Sequence, residues 1–449
     1  MTNGKTFSLQ MWQKILIGLI LGIVAGFVVG EHAKLLKPIG DIFITLIRMV
    51  VMPVIFVSLV CGVTAMKDLR KMGRVAGKTL LLYGVTMALA GTMSMLLAGA
   101  FGIMAYYMVL GGWVLTYIVN LIGGGLDVSQ PLGADTTKAF FAEHIHNRPL
   151  SVLFYTLLFV LANYWILTKG VIGGIEKAAK FLMPLLFVFL IFMVIRNVTL
   201  PGAAEGIRFY LQPDFSKITP QLFVFVLGQV FFALSLGFGV MITLSSYLDK
   251  KENLVQTAVI TAVVNTLIAV LAGFMIFPSL FSFGVAPDSG PTLVFQSLPI
   301  VFSNMWAGTM FAVVFFSLLL IAALTTSLTI YEVLITALQE KTRLPRRTAI
   351  VLVLGGIFLL GNVPSVLGDN LWQQVRLFGL SIFDAFDFAS GNILFMLTAL
   401  GSALFVGFVM KDEAREELGS NSRFTGLWFA YVKYFIPFVI LLIFVSNLI

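Results

Sequence analysis

Long apolar runs separated by short charged segments fill this chain. Eleven of them, near 12–30, 38–66, 78–122, 151–168, 179–199, 219–249, 254–280, 306–341, 346–368, 388–411 and 425–449, are long enough, or nearly so, to span a bilayer. A membrane's hydrocarbon is roughly 30 Å thick and takes about 20 helical residues to cross. The pattern predicts an all-α polytopic membrane protein of about 11 transmembrane helices. The third run admits one long tilted helix or two spans with a turn near Gly99-Ala100-Phe101-Gly102. Charge decides between them. With a cytoplasmic N-terminus and a single third span, the basic clusters Lys67 to Lys78, Lys169 to Lys180, Lys250-Lys251, Lys341 to Arg347 and Lys411 to Arg423 all fall on the inner side. A second crossing in the third run would move Lys341 to Arg347 outside, so the positive-inside rule selects N-terminus cytoplasmic, C-terminus external. Three outer loops are then long, about 123–150, 200–218 and 281–305, and read as lids over the bundle or as solvated connectors.

The sixth run breaks its own pattern. Gln229-Val230-Phe231-Phe232-Ala233-Leu234-Ser235-Leu236-Gly237-Phe238-Gly239 sets a serine and two glycines inside an apolar stretch. Unwound backbone at bilayer depth exposes N–H and C=O groups at several kcal/mol each, so it persists only where it lines a cavity or coordinates something. A helix broken here would offer N–H groups to a carboxylate and carbonyls to a cation. The competing reading is a close helix contact, which small residues also allow.

Composition narrows the class. Of 449 residues 59% are hydrophobic and 11% charged, with mean hydropathy +1.00, which excludes an ordinary soluble domain and a disordered chain. The net charge of +8 is mostly the topological bias and calls for no nucleic acid; the lipid bilayer is the partner the composition demands. Cys61 is the only cysteine, so disulfides within the chain and cysteine metal sites are excluded. The first run has a basic flank and no small-residue cleavage site, and reads as an anchor. Motifs for nucleotide-driven transport, zinc proteolysis and serine hydrolysis are missing, so no enzyme activity and no organic cofactor are expected.

Other polar residues inside apolar runs each carry two readings. Ala322-Ala323-Leu324-Thr325-Thr326-Ser327-Leu328-Thr329 is a set of oxygen ligands for a hard cation, or hydroxyls bonded back to their own helix. Asn265 is a cation ligand or an interhelical amide. Of Tyr106 and Tyr107, one hydroxyl reaches a substrate or joins two helices. Glu332 is a functional carboxyl by default, or a protonated or paired one near the inner surface. Glu143, His144 and His146 are metal ligands or parts of a solvated loop.

Residues of about 100–449 resemble the neurotransmitter:sodium symporter family, particularly its bacterial amino acid transporters. The resemblance rests on Ala105-Tyr106-Tyr107-Met108-Val109-Leu110-Gly111-Gly112-Trp113, the Gly228 to Gly239 segment, Ile276-Phe277-Pro278, Leu324-Thr325-Thr326-Ser327 and Phe383-Asp384-Ala385-Phe386-Asp387-Phe388. It implies a partial inverted-repeat symporter fold with a broken sixth helix. It further implies that Tyr107 and the half-helix end after Gly237 hold a substrate carboxylate, while Phe232, Ser235, Phe238 and Ile330 surround the substrate side chain. Ala322, Thr325 and Thr326 would contribute to one sodium site and Asn265 to the other, and Asp387 matches the gate aspartate.

Residues 8 to about 95 depart from that family and lack its first broken helix. They resemble scaffold helices of the dicarboxylate/amino acid:cation symporter family, on Gln13 to Leu19, Met49 to Phe56 and Lys71 to Thr79. The expected division is therefore 1–95 and 96–449. Gly18, Gly22, Gly26 and Gly30 form a close-packing stripe without a polar break. Ala233 stands where the symporters place a sodium-binding hydroxyl, and the arginine that pairs with the gate aspartate is missing; Arg48 in the second run is a nearby spare cation that pairs with Asp387 or simply snorkels to the surface. The resemblance implies a sodium-coupled secondary active transporter of amino acids or related zwitterions in a bacterial inner membrane, with weak or incomplete Na⁺ sites. The alternative is a transport-defective chimeric scaffold.

Overall fold

Helices make up all the regular structure, and no strand occurs among the described residues. The computed structural model of the chain describes Gly18, Gly22 and residues 69–170, 177–246, 253–285, 293–417 and 423–448. Two compact units are present, Met1–Val85 and Thr86–Ile449. The helices in order are α1 (Leu69–Ile122), α2 (Ala134–Phe141), α3 (Pro149–Leu167), α4 (Lys177–Val198), α5 (Ala203–Leu211), α6 (Pro220–Ala233), α7 (Val240–Ser245), α8 (Leu254–Ser282), α9 (Leu298–Ser303) and α10 (Gly308–Thr342). They continue with α11 (Arg346–Gly368), α12 (Ile382–Met410) and α13 (Thr425–Val445).

Among the described residues seven helices are long and apolar enough to cross a membrane, and an eighth span arises if Met183–Val198 and Ala203–Leu211, bent by 115°, are one. The expected runs 12–30 and 38–66 lie outside the described residues. The third run is one helix: α1 passes unbroken through Gly99 to Gly102. Its glycines serve packing there, since a Cβ on Gly102 would overlap the Ser390 hydroxyl of α12. Local sequence sets several starts. The Thr219 hydroxyl accepts the Leu222 N–H before Pro220, the Asn253 side chain accepts the Gln256 N–H, and Ser381 accepts the Asp384 N–H. Each satisfies one of the free donors of a first helical turn. At Gly18 and Gly22 no heavy atom of the described residues lies within 4 Å of a Cβ position. Gly26, Gly30 and Arg48 lie outside the described residues.

Apolar helices have no hydrophobic reason to prefer one face inside a bilayer, so small residues and polar contacts choose the faces. Buried Asn163 on α3 accepts the Ser327 hydroxyl of α10 at 2.7 Å. Asn362 on α11 donates to the carbonyls of Met104 and Ala105 on α1, both at 2.8 Å. Tyr117 donates to the Phe295 carbonyl at 2.7 Å, and Asn197 on α4 donates to the Met275 carbonyl on α8 at 2.6 Å. Glu332, 1% exposed in its side chain, is held by a bidentate ion pair with Arg346, at 2.8 and 2.7 Å. It is therefore the paired carboxyl of the two readings.

The sixth run is interrupted. Regular bonding in α6 ends with Leu234 N–H to the Val230 carbonyl, and the next i−4 bond outside a helix interior is Thr243 N–H to the Gly239 carbonyl. Between them Ser235, Gly237 and Gly239 take left-handed φ angles of 54°, 89° and 75°. Serine is strained there and glycine is not. Two helices grip the break. A Cβ on Gly237 would sit 2.5 Å from the Phe395 carbonyl of α12, and one on Gly239 would sit 2.6 Å from the Leu96 side chain of α1.

Two outcomes follow from this packing. Arg346→Met leaves the buried Glu332 carboxylate without its bidentate cation and should destabilise the detergent-solubilised protein by about 3 kcal/mol, while Glu332→Leu/Arg346→Met recovers most of the loss. Gly237→Ala adds a clash to a left-handed conformation that costs roughly 1–3 kcal/mol. It should lower the thermal unfolding midpoint well below that of Gly124→Ala, whose φ is 76° with open space around it.

Candidate functional site

Span α1, the break between α6 and α7, α10 and α12 converge on one apolar cluster that contains Tyr106, Phe238, Ile330 and Phe395, with Tyr107 packed against it. Phe238, 5% exposed, lies against Phe395 with ring centroids 3.7 Å apart, and Phe232 meets Phe238 edge-on at 5.7 Å. Ile330 is 2% exposed in the same cluster. The Tyr107 hydroxyl faces the Thr326 side chain. Phe238 and Ile330 thus belong to one cluster, Tyr107 packs against it, and the Tyr107 hydroxyl faces the exposed Thr326.

Other expected residues stand apart. Ser235 and Gly237 line a separate cavity of about 230 Å³ with Thr398 and Ser402 of α12 and Ile436 and Ile440 of α13. The Ser235 side of the break therefore opens toward α12 and α13, while Phe238 enters the cluster. Phe232 is largely exposed. Asn265 sits on α8, which packs against α4 and α5, and its amide has no hydrogen-bond partner among the described residues. The position of Ala233 is the last of α6.

The α10 hydroxyls bond to their own helix. Thr325 donates to the Ala322 carbonyl at 2.9 Å and Thr329 to the Thr326 carbonyl at 2.7 Å, while the single Ser327 proton is shared between the Leu324 carbonyl at 2.9 Å and Asn163. Back-bonding uses the hydroxyl proton and leaves oxygen lone pairs as acceptors. Thr325 so arranged can still offer an oxygen to a cation. The Ala322 carbonyl would have to share its lone pairs with the Thr325 proton. Both readings of this segment thus remain chemically compatible.

Asp387 on α12 faces the Tyr106 hydroxyl, a neutral donor in place of a guanidinium. Below that pair, Phe383 lies edge-on to Tyr106 at 5.4 Å and stacks on Trp113 at 5.7 Å. Near it Asp369 and His146 line a cavity of about 10 Å³ with Ser365, whose buried hydroxyl has no partner among the described residues. Burial raises the Asp369 carboxyl above its ordinary range, with Ser381 opposing, Asp384 adding to the rise, and His146 and Arg376 lowering it. Glu143 pairs with Arg148 at 2.7 Å and His144 stacks on Phe140 at 4.1 Å, so the three loop residues are directed to separate partners. Among the described residues no group of three His, Cys, Asp or Glu is placed to hold a metal.

Asn362 is a positioning residue that no motif marks. Its two bonds fix the α1 carbonyls immediately before Tyr106 and Tyr107. The signal in the sequence is a lone amide in an apolar run two residues before Pro364, where α11 widens into a π-turn over Phe358–Asn362.

Comparison with known proteins places this arrangement. The family model described as the sodium:neurotransmitter symporter family matches residues 143–449. An uncharacterized sodium-dependent transporter of Haemophilus influenzae is 72% identical over 354 residues, covering 78% of each chain. The uncharacterized sodium-dependent transporter YhdH of Bacillus subtilis is 37% identical, covering 78% of this chain and 77% of its own. The crystal structure of MhsT in complex with L-phenylalanine is similar over 79% of this chain and 80% of that one, with a TM-score of 0.73 and 37% identity. The dicarboxylate symporter likeness of residues 8–95 finds no support in these matches. A helical membrane bundle with an interrupted sixth run, a family model over residues 143–449 and relatives of this identity agree: the chain belongs to the sodium:neurotransmitter symporter family.

Proposed function

We propose that the chain is a sodium-coupled symporter of amino acids or related small zwitterions that works by alternating access. The observation that carries this reading is the apolar cluster of Phe238 and Ile330 beside an interrupted span, with Tyr107 packed against it and its hydroxyl toward Thr326. A hydroxyl donor next to unwound backbone suits a carboxylate, and buried apolar side chains suit a substrate side chain. MhsT, whose fold it shares, is seen with L-phenylalanine, which supports an amino acid substrate of apolar type.

In this reading Tyr107 and the amides after Gly237 receive the carboxylate. Phe232, Ser235, Phe238 and Ile330 border the side chain, and to do so Phe232 would have to turn inward from its exposed position and Ser235 away from the cavity it lines. Ala322, Thr325 and Thr326 supply oxygen atoms to Na⁺, with Asn265 at a second site and Asp387 at the gate. Residues 96–449 form the transporting bundle and 1–95 a separate membrane segment, with the N-terminus cytoplasmic and the C-terminus external in a bacterial inner membrane.

The test is uptake of labelled amino acids into proteoliposomes under an imposed Na⁺ gradient, starting with L-phenylalanine. Gradient-driven accumulation is expected, and its absence for a panel of amino acids would sink the reading. Tyr107→Phe should cut uptake about tenfold or more, because a buried carboxylate loses a donor worth roughly 1.5–3 kcal/mol; undiminished uptake would make Tyr107 a helix contact only.

Sodium gives a second expected outcome. A cation replaces its hydration shell with several oxygen ligands, and by the family resemblance Ala233 stands where a hydroxyl would complete the site to which Asn265 contributes. Thr325→Ala should therefore raise the Na⁺ concentration for half-maximal uptake more than Asn265→Ala does. The reverse order would mean that the Asn265 site is the complete one.

A further inference from the structure

Several hydroxyls inside the spans bond back to their own helix: Thr116 to the Gly112 carbonyl at 3.0 Å, Thr325 to that of Ala322 at 2.9 Å, and Thr398 to that of Leu394 at 2.8 Å. Ser365 on α11 does not. It is 0% exposed, and its Oγ has neither donor nor acceptor among the described residues. A hydroxyl buried in this way costs stability unless something polar reaches it. Two other buried hydroxyls without a partner there, Thr156 and Ser390, are pressed against Gly112 and Gly102. Ser365 instead borders a cavity of about 10 Å³.

Polar groups converge on that cavity from two segments. Ser365 and Asp369 lie four residues apart at the end of α11 and so share a side. Asn370 beside them donates its amide N–H to the Val366 carbonyl at 3.3 Å, which leaves its oxygen as an acceptor. Across the cavity stands His146, the last residue of the π-turn Ala142–His146. Ile145, 3% exposed, anchors this turn, and the His146 ring meets Phe141 edge-on at 5.2 Å. Trp113 of α1 and Val152 of α3 complete the wall and carry no titratable group.

Size and charge together select the occupant. Roughly 10–15 Å³ of such space holds one water molecule where two to four polar groups surround it. Small ions fit the charges poorly. His146 and Arg376 already face the Asp369 carboxyl and oppose a further cation, whereas Asp369, with Asp384 near it, repels an anion. A neutral molecule that both donates and accepts satisfies every group on the wall.

We propose that one water molecule sits in this cavity, joins the Ser365 hydroxyl to the Asp369 carboxyl and the His146 ring, and so clasps the turn Ala142–His146 to the end of α11. A bridge of this kind is nearly as favourable in enthalpy as a direct hydrogen bond. It lies next to Trp113, which stacks on Phe383 at 5.7 Å, and therefore ties the loop to the aromatic layer beside Tyr106. The clasp rests on Ser365 and its neighbours and is independent of the transport reading.

Two measurements on the purified full-length protein test it. An experimental structure at about 2 Å resolution or better should show a single density peak roughly 2.5–3.2 Å from the Ser365 Oγ and from an Asp369 oxygen or a His146 nitrogen. Hydrogen–deuterium exchange then reads the clasp. Ser365→Val puts a methyl where the hydroxyl was and displaces the water, so the amides of residues 142–147 should exchange about fivefold or more faster than in wild type. His146→Leu removes the other end of the bridge and should speed the same amides. Combining the two should add little to either alone, because both break one junction. An empty cavity in the wild-type structure overturns the proposal whatever the variants do. So does a peak about 2.4 Å from several oxygens, which would be a cation. Wild-type exchange in Ser365→Val, or effects that simply add in the double variant, would also overturn it.

Discussion

An unwound backbone inside a hydrocarbon layer is tolerated only when neighbouring protein covers it, and this constraint organises the bundle. Left-handed turns at Ser235, Gly237 and Gly239 end α6 and start α7, so several amides and carbonyls leave the helical ladder. Each would cost several kcal/mol against lipid. The covering groups come from α12 and α1: Phe395 presses its carbonyl toward Gly237 and its ring against Phe238, while Leu96 closes over Gly239. Gly237 and Gly239 have to be glycine for both reasons at once, conformation and approach. Ser235 accepts the strain without that excuse, which is the kind of local cost that persists where the surroundings over-determine the conformation.

Holding a break in place requires that its neighbours keep fixed heights along the membrane normal, and apolar side chains do this poorly because they slide. Hydrogen bonds between spans do it better, at roughly 0.6–2 kcal/mol each in membrane proteins. Asn163 to Ser327 registers α3 with α10, and Asn362 registers α11 with α1 one residue before the tyrosine pair. The Glu332–Arg346 pair fixes the turn between α10 and α11, since the two residues lie on either side of it. Tyr107 and Thr326 come face to face because these contacts set the helices that carry them.

The broken run was legible because serine and glycine in an apolar stretch have few other uses, and the paired Glu332 because a lone carboxyl inside a membrane helix must find a cation or a proton. Span positions were readable from apolar length, although α12 begins at Ile382, several residues before the run near 388–411, because Ser381 caps it. Rotation was not legible. A helix that is apolar all round has no stripe to orient it, so nothing in the order of residues showed that Ser235 opens toward α12 and α13 while Phe238 turns into the cluster. Asn265 suffers the same ambiguity on α8. The π-turns in α11 and α12 shift the facing of every later residue on those helices, and their sequences carry no warning beyond Asn362 and Pro364.

In the proposed reading Asp387 stands at the gate, where the kind of partner it has sets the energetics of closure. Asp387 faces the Tyr106 hydroxyl, and Phe383 and Trp113 form an aromatic layer next to it. A hydroxyl can donate one bond to a carboxylate, whereas a guanidinium gives two and a full opposite charge. The pair therefore contributes less to closure than a salt bridge would, and more of the closing free energy has to come from burying the aromatic rings. Ring burial depends on area rather than on charge and is little screened by salt. Closure on this side should accordingly respond weakly to ionic strength, and its strength should follow the size of the side chains at 106, 113 and 383 rather than the charge at 387.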